Sequence, residues 1–189
     1  MKKLSAENIN ISVINLISDV AEKENVEIYL VGGFVRDLIL ERKSKDIDVL
    51  VIGNGIDFAK IVAKKTNDKI QVFKNFGTAM LKTKDYEIEF VGARKESYNS
   101  DSRKPTIEEG NLEEDLSRRD FTINTLAISL NKKNYGEIVN LFDGINDIKR
   151  KIIKTPKDPQ VTFHDDPLRM FRAARFASQL NFKIDKENI

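Results

Sequence analysis

The sequence predicts an α+β fold, in which short strands and helices alternate before an all-helical segment begins. Apolar residues recur at helical spacing over residues 10–24 and predict a first helix. Short runs separated by glycine or charged turns predict five strands, which are a buried strand at VEIYLV and four further strands at KDIDVLVIG, KIQVF, TAMLKT and YEIEFV. Two further segments with a helical pattern, FVRDLILE and DFAKIVAKK, follow the first and the second of these strands.

The second half of the chain predicts fewer regular elements. Residues 92–115 are polar, contain glycine and proline and lack periodicity, so we expect one long loop. The run RRDFTINTLAISL predicts a helix, EIVNLFDG predicts a short strand and turn, and a last amphipathic helix is predicted from about Asp166 to Leu180. We therefore expect a head domain over residues 1–155 and the start of a helical domain over residues 156–189.

Composition narrows the kinds of site that the chain can contain. Cysteine is absent and His164 is the single histidine, which excludes thiolate metal sites and multi-histidine zinc centres. Carboxylates would have to supply a metal site, and they favour Mg²⁺ or Mn²⁺. The 32 basic and 30 acidic residues nearly cancel, so a nucleic-acid surface would have to be local. We expect a cytoplasmic protein, because the sequence has no signal-peptide core and no apolar run of about 18 residues.

Two closely spaced aspartates are the first candidate metal ligands. Asp46 and Asp48 begin a predicted strand, and both carboxylates lie on one side of it because successive side chains alternate between faces. Such a pair can bind a hard divalent cation together with substrate phosphates. Glu87 and Glu89 share a face of another predicted strand, and either could complete a three-carboxylate site. Taken alone, a D-x-D sequence is more often part of a solvated turn than a metal site.

Two glycines precede the second predicted helix. Gly32 and Gly33 allow a close approach of the backbone, and the first amides of a helix point outwards towards phosphate oxygens. Arg36 lies in the predicted first turn, where a cation is poorly placed for the helix dipole and a bound triphosphate would compensate it. A tight turn explains the glycines alone. Their proximity in sequence to Asp46 and Asp48 favours a nucleotide site.

The last predicted helix carries a third candidate site. At about 100° per residue, Arg169, Arg172 and Arg175 fall within a sector of roughly 120°. The opposite side is expected to pack, and it comprises Met170, Ala173, Ala174, Ala177 and Leu180. Guanidinium groups suit phosphates and base edges alike. The alternative is a solvated basic face, with Asp165 and Asp166 acting as helix caps.

Four linked stretches resemble the bacterial-type (class II) tRNA nucleotidyltransferase and poly(A) polymerase family. They are LVGGFVRDLIL with DIDVLV, RRDFTINTLA, DGINDIKRKII and DDPLRMFRAARFASQLNF, in the order that the family has them. The resemblance covers about residues 26–182. It implies a polymerase-β-like nucleotidyltransferase head with a mixed five-stranded sheet and flanking helices, followed by the start of an all-helical neck domain.

The resemblance also implies roles for individual residues. Asp46 and Asp48 would be catalytic and would hold two Mg²⁺ ions, or Mn²⁺ in their place. Glu89 fits the family's E-h-x-x-x-R pattern, in the sequence EFVGAR, and would be the further catalytic acid. Triphosphate contacts are implied for Gly33 and Arg36. The other implied nucleotide contacts are Arg119, Asp120, Asn124, Asp166, Arg169, Arg172 and Arg175.

The implied activity is template-independent transfer of CMP and AMP from CTP and ATP to the 3′ end of tRNA, with release of pyrophosphate. Asp166 and Arg169 would select the base by hydrogen-bonding its edge. CC-adding enzymes, A-adding enzymes and poly(A) polymerases share this head, and an inactive nucleotide- or RNA-binding module is the alternative from another class. Family members are typically longer, so body and tail domains or a partner chain would complete the tRNA site. The loop at 95–115 corresponds in position to the family's flexible loop.

Overall fold

In a computed structural model, the described residues 9–97 and 106–188 form seven α-helices and eleven strands. The helices are α1 (Ser12–Glu24), α2 (Gly32–Ile39), α3 (Gly55–Thr66), α4 (Leu112–Ser117), α5 (Gly144–Arg150), α6 (Pro159–Asp165) and α7 (Leu168–Leu180). The strands are β1 (Ile28–Val31), β2 (Asp46–Val51), β3 (Ile70–Phe73), β4 (Thr78–Lys82), β5 (Glu87–Gly92), β6 (Arg94–Ser97), β7 (Thr106–Glu109), β8 (Ala127–Ser129), β9 (Ile138–Val139), β10 (Ile152–Ile153) and β11 (Lys183–Ile184). None of the helices in the described ranges has the length and apolar content that crossing a membrane requires.

The described residues divide into two compact units. The first contains those up to Ala93 together with Ala127–Val139, and the second contains those of Arg94–Leu126 and Asn140–Ile189. The second unit therefore draws on residues from both sides of position 155, whereas the predicted domains are continuous in sequence. The domain boundary at 155 stays a prediction.

A seven-stranded sheet forms the centre of the first unit, in the order β3-β4-β5-β2-β1-β8-β9. β2 and β5 pair in parallel, and the other neighbours pair antiparallel, so the sheet is mixed as predicted. The five predicted strands correspond to β1–β5. The predicted number of strands was wrong, because β8 and β9 extend the sheet beyond β1 to give seven.

The helix predicted for RRDFTINTLAISL was wrong. This stretch forms a short 3₁₀-helix, Thr122–Asn124, followed by strand β8, in which Ile128 pairs with Leu30 of β1. Residues 120–130 are buried without interruption, so no exposed face marks a helical period. A continuous apolar run of this kind does not distinguish a helix from a buried strand, and several of its residues are β-branched.

The long loop predicted for residues 92–115 was wrong at both ends, and its centre, 98–105, lies outside the described residues. β6 and β7 pair antiparallel, and α4 follows with a capping box. In that box Asn111 Oδ1 accepts from the backbone N–H of Glu114 at 2.9 Å, and Glu114 Oε2 accepts from the backbone N–H of Asn111 at 3.0 Å. This reciprocal pair satisfies donors at the helix start and explains why so polar a sequence forms a helix.

One face of the large sheet packs against α3. Phe58 of α3 contacts Phe90 of β5 edge to face, with ring centroids 5.9 Å apart. Ile47 and Val49 of β2 and Ile88 of β5 lie on that same face and are almost fully buried. The opposite face of β2 and β5 is therefore left for the acidic side chains that alternate with these apolar residues.

Gly55 marks a close approach between α3 and β5. A Cβ atom at Gly55 would lie 2.6 Å from the backbone nitrogen of Gly92 and 2.8 Å from the carbonyl carbon of Val91.

We expect Gly55→Ala to lower the free energy of unfolding by about 1–3 kcal/mol, because the backbone of β5 would have to shift. Urea denaturation measures the change. Gly33→Ala is the matched control, since its Cβ would meet nothing closer than 3.5 Å. Equal stability of the two variants would contradict the prediction.

Candidate active site

Four carboxylates share the exposed face of β2 and β5. In the parallel register Asp46 lies beside Glu87, and Asp48 lies beside Glu89. Residues in register point to the same face, and Ile47 between the aspartates is buried on the other. The predicted arrangement of the D-x-D carboxylates on one side of a strand is therefore confirmed.

The two glutamates on this face have different surroundings. Lys82 of β4 donates a hydrogen bond to Glu87 Oε1 and forms an ion pair with it. This hydrogen bond raises the pKa of the Lys82 amine above its ordinary value. Glu89 is in register with Met80 on β4 and with Asp48 on β2, so it has the aspartate rather than a lysine beside it. The sheet register thus favours Glu89 over Glu87 as the partner of the aspartates.

Asp46 and Asp48 fit a divalent cation by their chemistry. Both present carboxylate oxygens, the ligand type that Mg²⁺ prefers, and Mg²⁺ commonly takes its remaining ligands from water and substrate phosphates. Asp46 is exposed and Asp48 is half-buried, so the pair is open to such a complex. Within residues 9–97 and 106–188, no group of three or more carboxylate or histidine side chains is arranged to hold a metal ion. The third carboxylate stays a prediction.

The glycine turn lies beside the carboxylates. Val31, at the end of β1, pairs with Asp48, and Gly32 follows it with a φ of 72°, a conformation that glycine adopts without strain. The helix α2 begins at Gly32, two residues earlier than predicted. The first unit thus brings together the glycines and the two aspartates, as expected from their spacing in sequence.

The expected placement of Arg36 in the first helical turn was wrong. Because α2 begins early, Arg36 lies in its second turn, and the supposed conflict with the helix dipole does not arise. Arg36 is 5% exposed and donates through Nε and Nη2 to the two carboxylate oxygens of Asp37, at 3.0 and 3.1 Å. A Cβ on Gly33 would lie 3.5 Å from Arg36 Nη2. The guanidinium group therefore lies beside Gly33, and its contact with a triphosphate stays a prediction.

In the second unit, Asp120 accepts hydrogen bonds from two other predicted nucleotide contacts, Asn124 and Arg172. Its Oδ1 accepts from the backbone N–H of Phe121 at 2.9 Å and from Asn124 Nδ2 at 3.0 Å. Its Oδ2 accepts from Arg172 Nε at 2.7 Å and Nη2 at 2.6 Å. The ring of Phe176 lies 5.3 Å from the Arg172 guanidinium carbon and 4.9 Å from that of Arg175. These contacts hold Arg172 between a carboxylate and an aromatic ring.

Asp166 and Arg169 lie together at the start of α7. Arg169 Nε is 3.8 Å from Asp166 Oδ2, and Arg169 Nη2 donates to the backbone carbonyl of Arg118 at 2.9 Å. Asp166 Oδ1 accepts from the backbone N–H of Leu168 at 3.0 Å, so this carboxylate also satisfies a donor in the first turn of the helix. The Asp166 side chain is 41% exposed, which leaves it accessible to a ligand.

The packed side of α7 differs from the prediction. Ala173 and Leu180 are buried as expected, together with Phe176. Met170 and Ala174, which we expected to pack, are exposed, and the Arg169 side chain is only 12% exposed. Arg169 can be largely covered because the carbonyl oxygens of Thr162 and Arg118 accept from its guanidinium group and Asp166 forms an ion pair with it. A hydrogen-bonded arginine can replace an apolar residue on a packed face in this way.

Asp115 is a charged residue that the sequence pattern did not reveal. It is fully buried in α4, where Arg118 and Arg119 both donate to it. Burial by itself raises the pKa of Asp115, but the two guanidinium groups lower it by more, so the net pKa lies below its usual value. Its place in a polar segment predicted as a loop gave no sign of burial. The spacing to two arginines three and four positions later was the available signal.

The family model described as the poly(A) polymerase head domain matches residues 28–154. The chain belongs to the class II tRNA nucleotidyltransferase and poly(A) polymerase family. The family resemblance read from the sequence is confirmed.

The names of the proteins to which this chain is similar state different activities. It is 44% identical over 158 residues to the A-adding tRNA nucleotidyltransferase of Aquifex aeolicus, covering 84% of this chain and 19% of that protein. It is 40% identical over 169 residues to the CCA-adding enzyme of Lactobacillus helveticus, covering 88% of this chain and 40% of that protein. The chain thus spans well under half the length of these relatives.

A crystal structure from the family has the same fold. It is of a tRNA nucleotidyltransferase complexed with a primer tRNA and an incoming ATP analog, and the match has a TM-score of 0.80 at 40% identity. The match covers 91% of this chain and 47% of the other. The α+β class predicted from the sequence is therefore confirmed for this family member.

The family's RRDFTIN stretch is anchored by a buried carboxylate. Thr122 Oγ1 donates to Asp147 Oδ2 of α5 at 2.7 Å, and a Cβ on Gly144 would lie 2.2 Å from the carbonyl oxygen of Thr122. Burial raises the pKa of Asp147, and the hydrogen bond from Thr122 offsets only part of that effect. The short 3₁₀-helix of this stretch therefore packs against α5 through a carboxylate that is costly to ionise.

We expect Asp147→Asn to stabilise the protein increasingly as the pH rises from about 4 to 7. A carboxyl whose pKa is raised by folding contributes its full stability below its unfolded pKa and loses it as the pH rises through its folded pKa. Asparagine keeps an acceptor for Thr122 and has no such loss. Thermal melting at several pH values measures the difference in Tm from the unsubstituted protein. The exposed Asp85→Asn variant is the control, and a difference in Tm that shrinks with rising pH for Asp147→Asn would refute the expectation.

Proposed function

We propose that the protein transfers CMP and AMP from CTP and ATP to the 3′ end of tRNA without a nucleic-acid template, and that it releases pyrophosphate. Membership of the nucleotidyltransferase family limits the chemistry to nucleotidyl transfer. The observation that carries the proposal is the register of β1, β2 and β5. It places Asp46, Asp48 and Glu89 on one face beside the Gly32-Gly33 turn.

The family generally uses divalent metal ions, and Asp46 and Asp48 would hold them here. When bound, such ions would lower the pKa of the primer 3′-hydroxyl and stabilise the pyrophosphate leaving group. Glu89, in register with Asp48, would be the further catalytic acid. The backbone at Gly33 would admit the triphosphate closely, since glycine has no side chain of its own, and the Arg36 guanidinium group lies beside it.

The cations of the proposed site would offset the negative charge of the nucleotide. Arg36 and Arg119 would bind the triphosphate, and Arg172, held by Asp120, would present its remaining N–H groups. Asn124 would act through Asp120, to which it donates at 3.0 Å. Arg175 lies over the Phe176 ring, with its guanidinium carbon 4.9 Å from the ring centroid. Fixed donors of this kind need little reorganisation when charge develops during transfer.

Asp166 and Arg169 would read the incoming base. Cytosine and adenine both present an amino donor where uracil and guanine present a carbonyl acceptor. A carboxylate that accepts from this amino group, beside a guanidinium that donates to the neighbouring ring nitrogen, suits CTP and ATP and disfavours UTP and GTP. The pair by itself does not separate CTP from ATP.

A-adding activity is the second candidate. The Aquifex relative that is 44% identical carries the name of an A-adding enzyme, whereas the Lactobacillus relative that is 40% identical is named as CCA-adding. CC addition and poly(A) synthesis are further outcomes that the same site chemistry allows. An inactive nucleotide- or RNA-binding module is disfavoured, because binding alone does not need paired carboxylates.

The activity is tested with the full-length protein, Mg²⁺, and tRNA ending before its 3′ CCA. Labelled CTP and ATP are supplied singly and together. When both are present, we expect two C residues and then one A to be added. A second primer ending in CC separates the candidates, since an A-adding enzyme extends only this one. Asp48→Ala serves as the inactive control. A folded full-length protein that incorporates no nucleotide on either primer would refute the proposal and leave the binding module.

Glu89 and Glu87 provide a matched pair of variants. We expect Glu89→Gln to lower kcat by about a hundredfold, the scale typical of losing one group that acts at the reacting atoms. Glu87→Gln should stay within a few-fold of the unsubstituted protein, because Glu87 is paired with Lys82. Steady-state incorporation of each nucleotide measures both. Equal losses for the two variants would show that the register argument for Glu89 is incorrect.

A further inference from the structure

The buried carboxylate of Asp115 accepts hydrogen bonds from two arginines, Arg118 and Arg119. The proposed function uses only Arg119 and gives Asp115 no role. Arg118 donates to Asp115 Oδ1 through Nε at 3.1 Å and through Nη2 at 2.6 Å. Arg119 donates to Asp115 Oδ2 through Nε at 3.2 Å and through Nη2 at 2.9 Å. Each carboxylate oxygen therefore holds one guanidinium group, and we refer to Arg118 and Arg119 as the arginine pair.

Asp115 holds more than one cation. One buried carboxylate needs one cation to balance its charge, yet two guanidinium groups donate to Asp115. The side chains of Arg118 and Arg119 remain 17% and 18% exposed, whereas that of Asp115 is 0% exposed. Buried ionic clusters often add little stability compared with apolar residues of similar volume. Stability alone is thus a weak explanation for two arginines held on one buried carboxylate.

We propose that Asp115 is a positioning residue that holds the arginine pair in a fixed orientation for the phosphate groups of the incoming nucleotide. The inference rests on the proposed function and adds two residues, Asp115 and Arg118, to the predicted contact Arg119. The nucleotide would be bound by the arginines, and Asp115 would act only through them.

The geometry of Arg119 fits this role. Its Nε and Nη2 groups are turned towards Asp115, and across residues 9–97 and 106–188 its Nη1 group has no hydrogen-bond acceptor. A guanidinium group that is anchored along one edge loses little further freedom when its other edge binds a phosphate oxygen. Anchoring by Asp115 therefore prepares Arg119 for an anionic ligand.

Asp115 also connects the arginine pair to other parts of the second unit. Its Oδ1 accepts from the backbone N–H of Arg94, the first residue of β6, at 3.4 Å. The backbone carbonyl of Arg118 accepts from Arg169 Nη2, so the proposed base-reading residue contacts the same cluster. Loss of the Asp115 charge should therefore disturb phosphate binding first and the position of Arg169 second.

Asp115→Asn in the full-length protein tests the inference. The amide keeps the shape of the carboxylate but loses its charge and turns an NH₂ group towards a guanidinium. We expect the Kd for inorganic tripolyphosphate and the KM for CTP and ATP to rise about tenfold or more. Glu114→Gln is the matched control, because it removes a charge from the adjacent residue without contacting the arginine pair. A tripolyphosphate Kd for Asp115→Asn equal to that of the control would overturn the inference.

A double-mutant cycle separates positioning from a general structural effect. If Asp115 acts through Arg119, Asp115→Asn should weaken tripolyphosphate binding much less in an Arg119→Met background than in the unsubstituted protein. Fully additive losses would contradict the role. Should Asp115→Asn fail to fold, Arg119→Lys gives the second measurement. Lysine keeps the charge but cannot form the two-point contact with Asp115, so a Kd unchanged from the unsubstituted protein would overturn the inference.

The binding measurement is independent of nucleotide transfer. If the unsubstituted protein binds tripolyphosphate and Asp115→Asn does not, the inference holds even where no primer is extended, and the proposed function alone fails. If primers are extended while Kd and KM are unaffected by Asp115→Asn, the inference alone fails. If the unsubstituted protein does not bind tripolyphosphate, the inference fails.

Discussion

The parallel pairing of β2 with β5 is the interaction on which the first unit's site depends. It sets Asp48 beside Glu89 and, on the other face of the sheet, Val49 beside Phe90. A shift of the register by one residue would turn the carboxylates towards α3 and expose the apolar side chains. The burial of the core therefore fixes the position of the acidic face, and the two cannot vary independently.

The second unit relies on a different constraint, which is the satisfaction of charge. Two buried aspartates, Asp115 and Asp120, between them hold three arginines, and backbone carbonyls hold a fourth, Arg169. Each of these contacts is charge-assisted, and leaving one partner buried alone would be strongly unfavourable. The orientation of the cations is thus set by the folded structure before any ligand binds.

The parts that sequence predicted well are those determined by local pattern. The strands β1–β5 follow from short apolar runs bounded by turns, and the D-x-D geometry follows from the alternation of side chains along a strand. Neither needs knowledge of the partner strands. Arg36 and Asp115 have ion-pair partners that are close in sequence. Their burial comes from tertiary packing, which the local spacing does not reveal. The prediction for RRDFTINTLAISL was wrong because the stretch is buried on all sides and has no period to recognise. The predicted packed side of α7 was wrong because a hydrogen-bonded arginine lies where an apolar residue was expected.

The discontinuous make-up of the first unit has a consequence for folding during synthesis. β1 pairs with β2 on one side and with β8 on the other, and β8 is made only after Arg94–Leu126, which belong to the second unit. At about 5–20 residues per second, the edge of β1 stays open for several seconds before its partner emerges. An open strand edge can pair with other chains, so this interval is when the nascent protein is most exposed to misassembly.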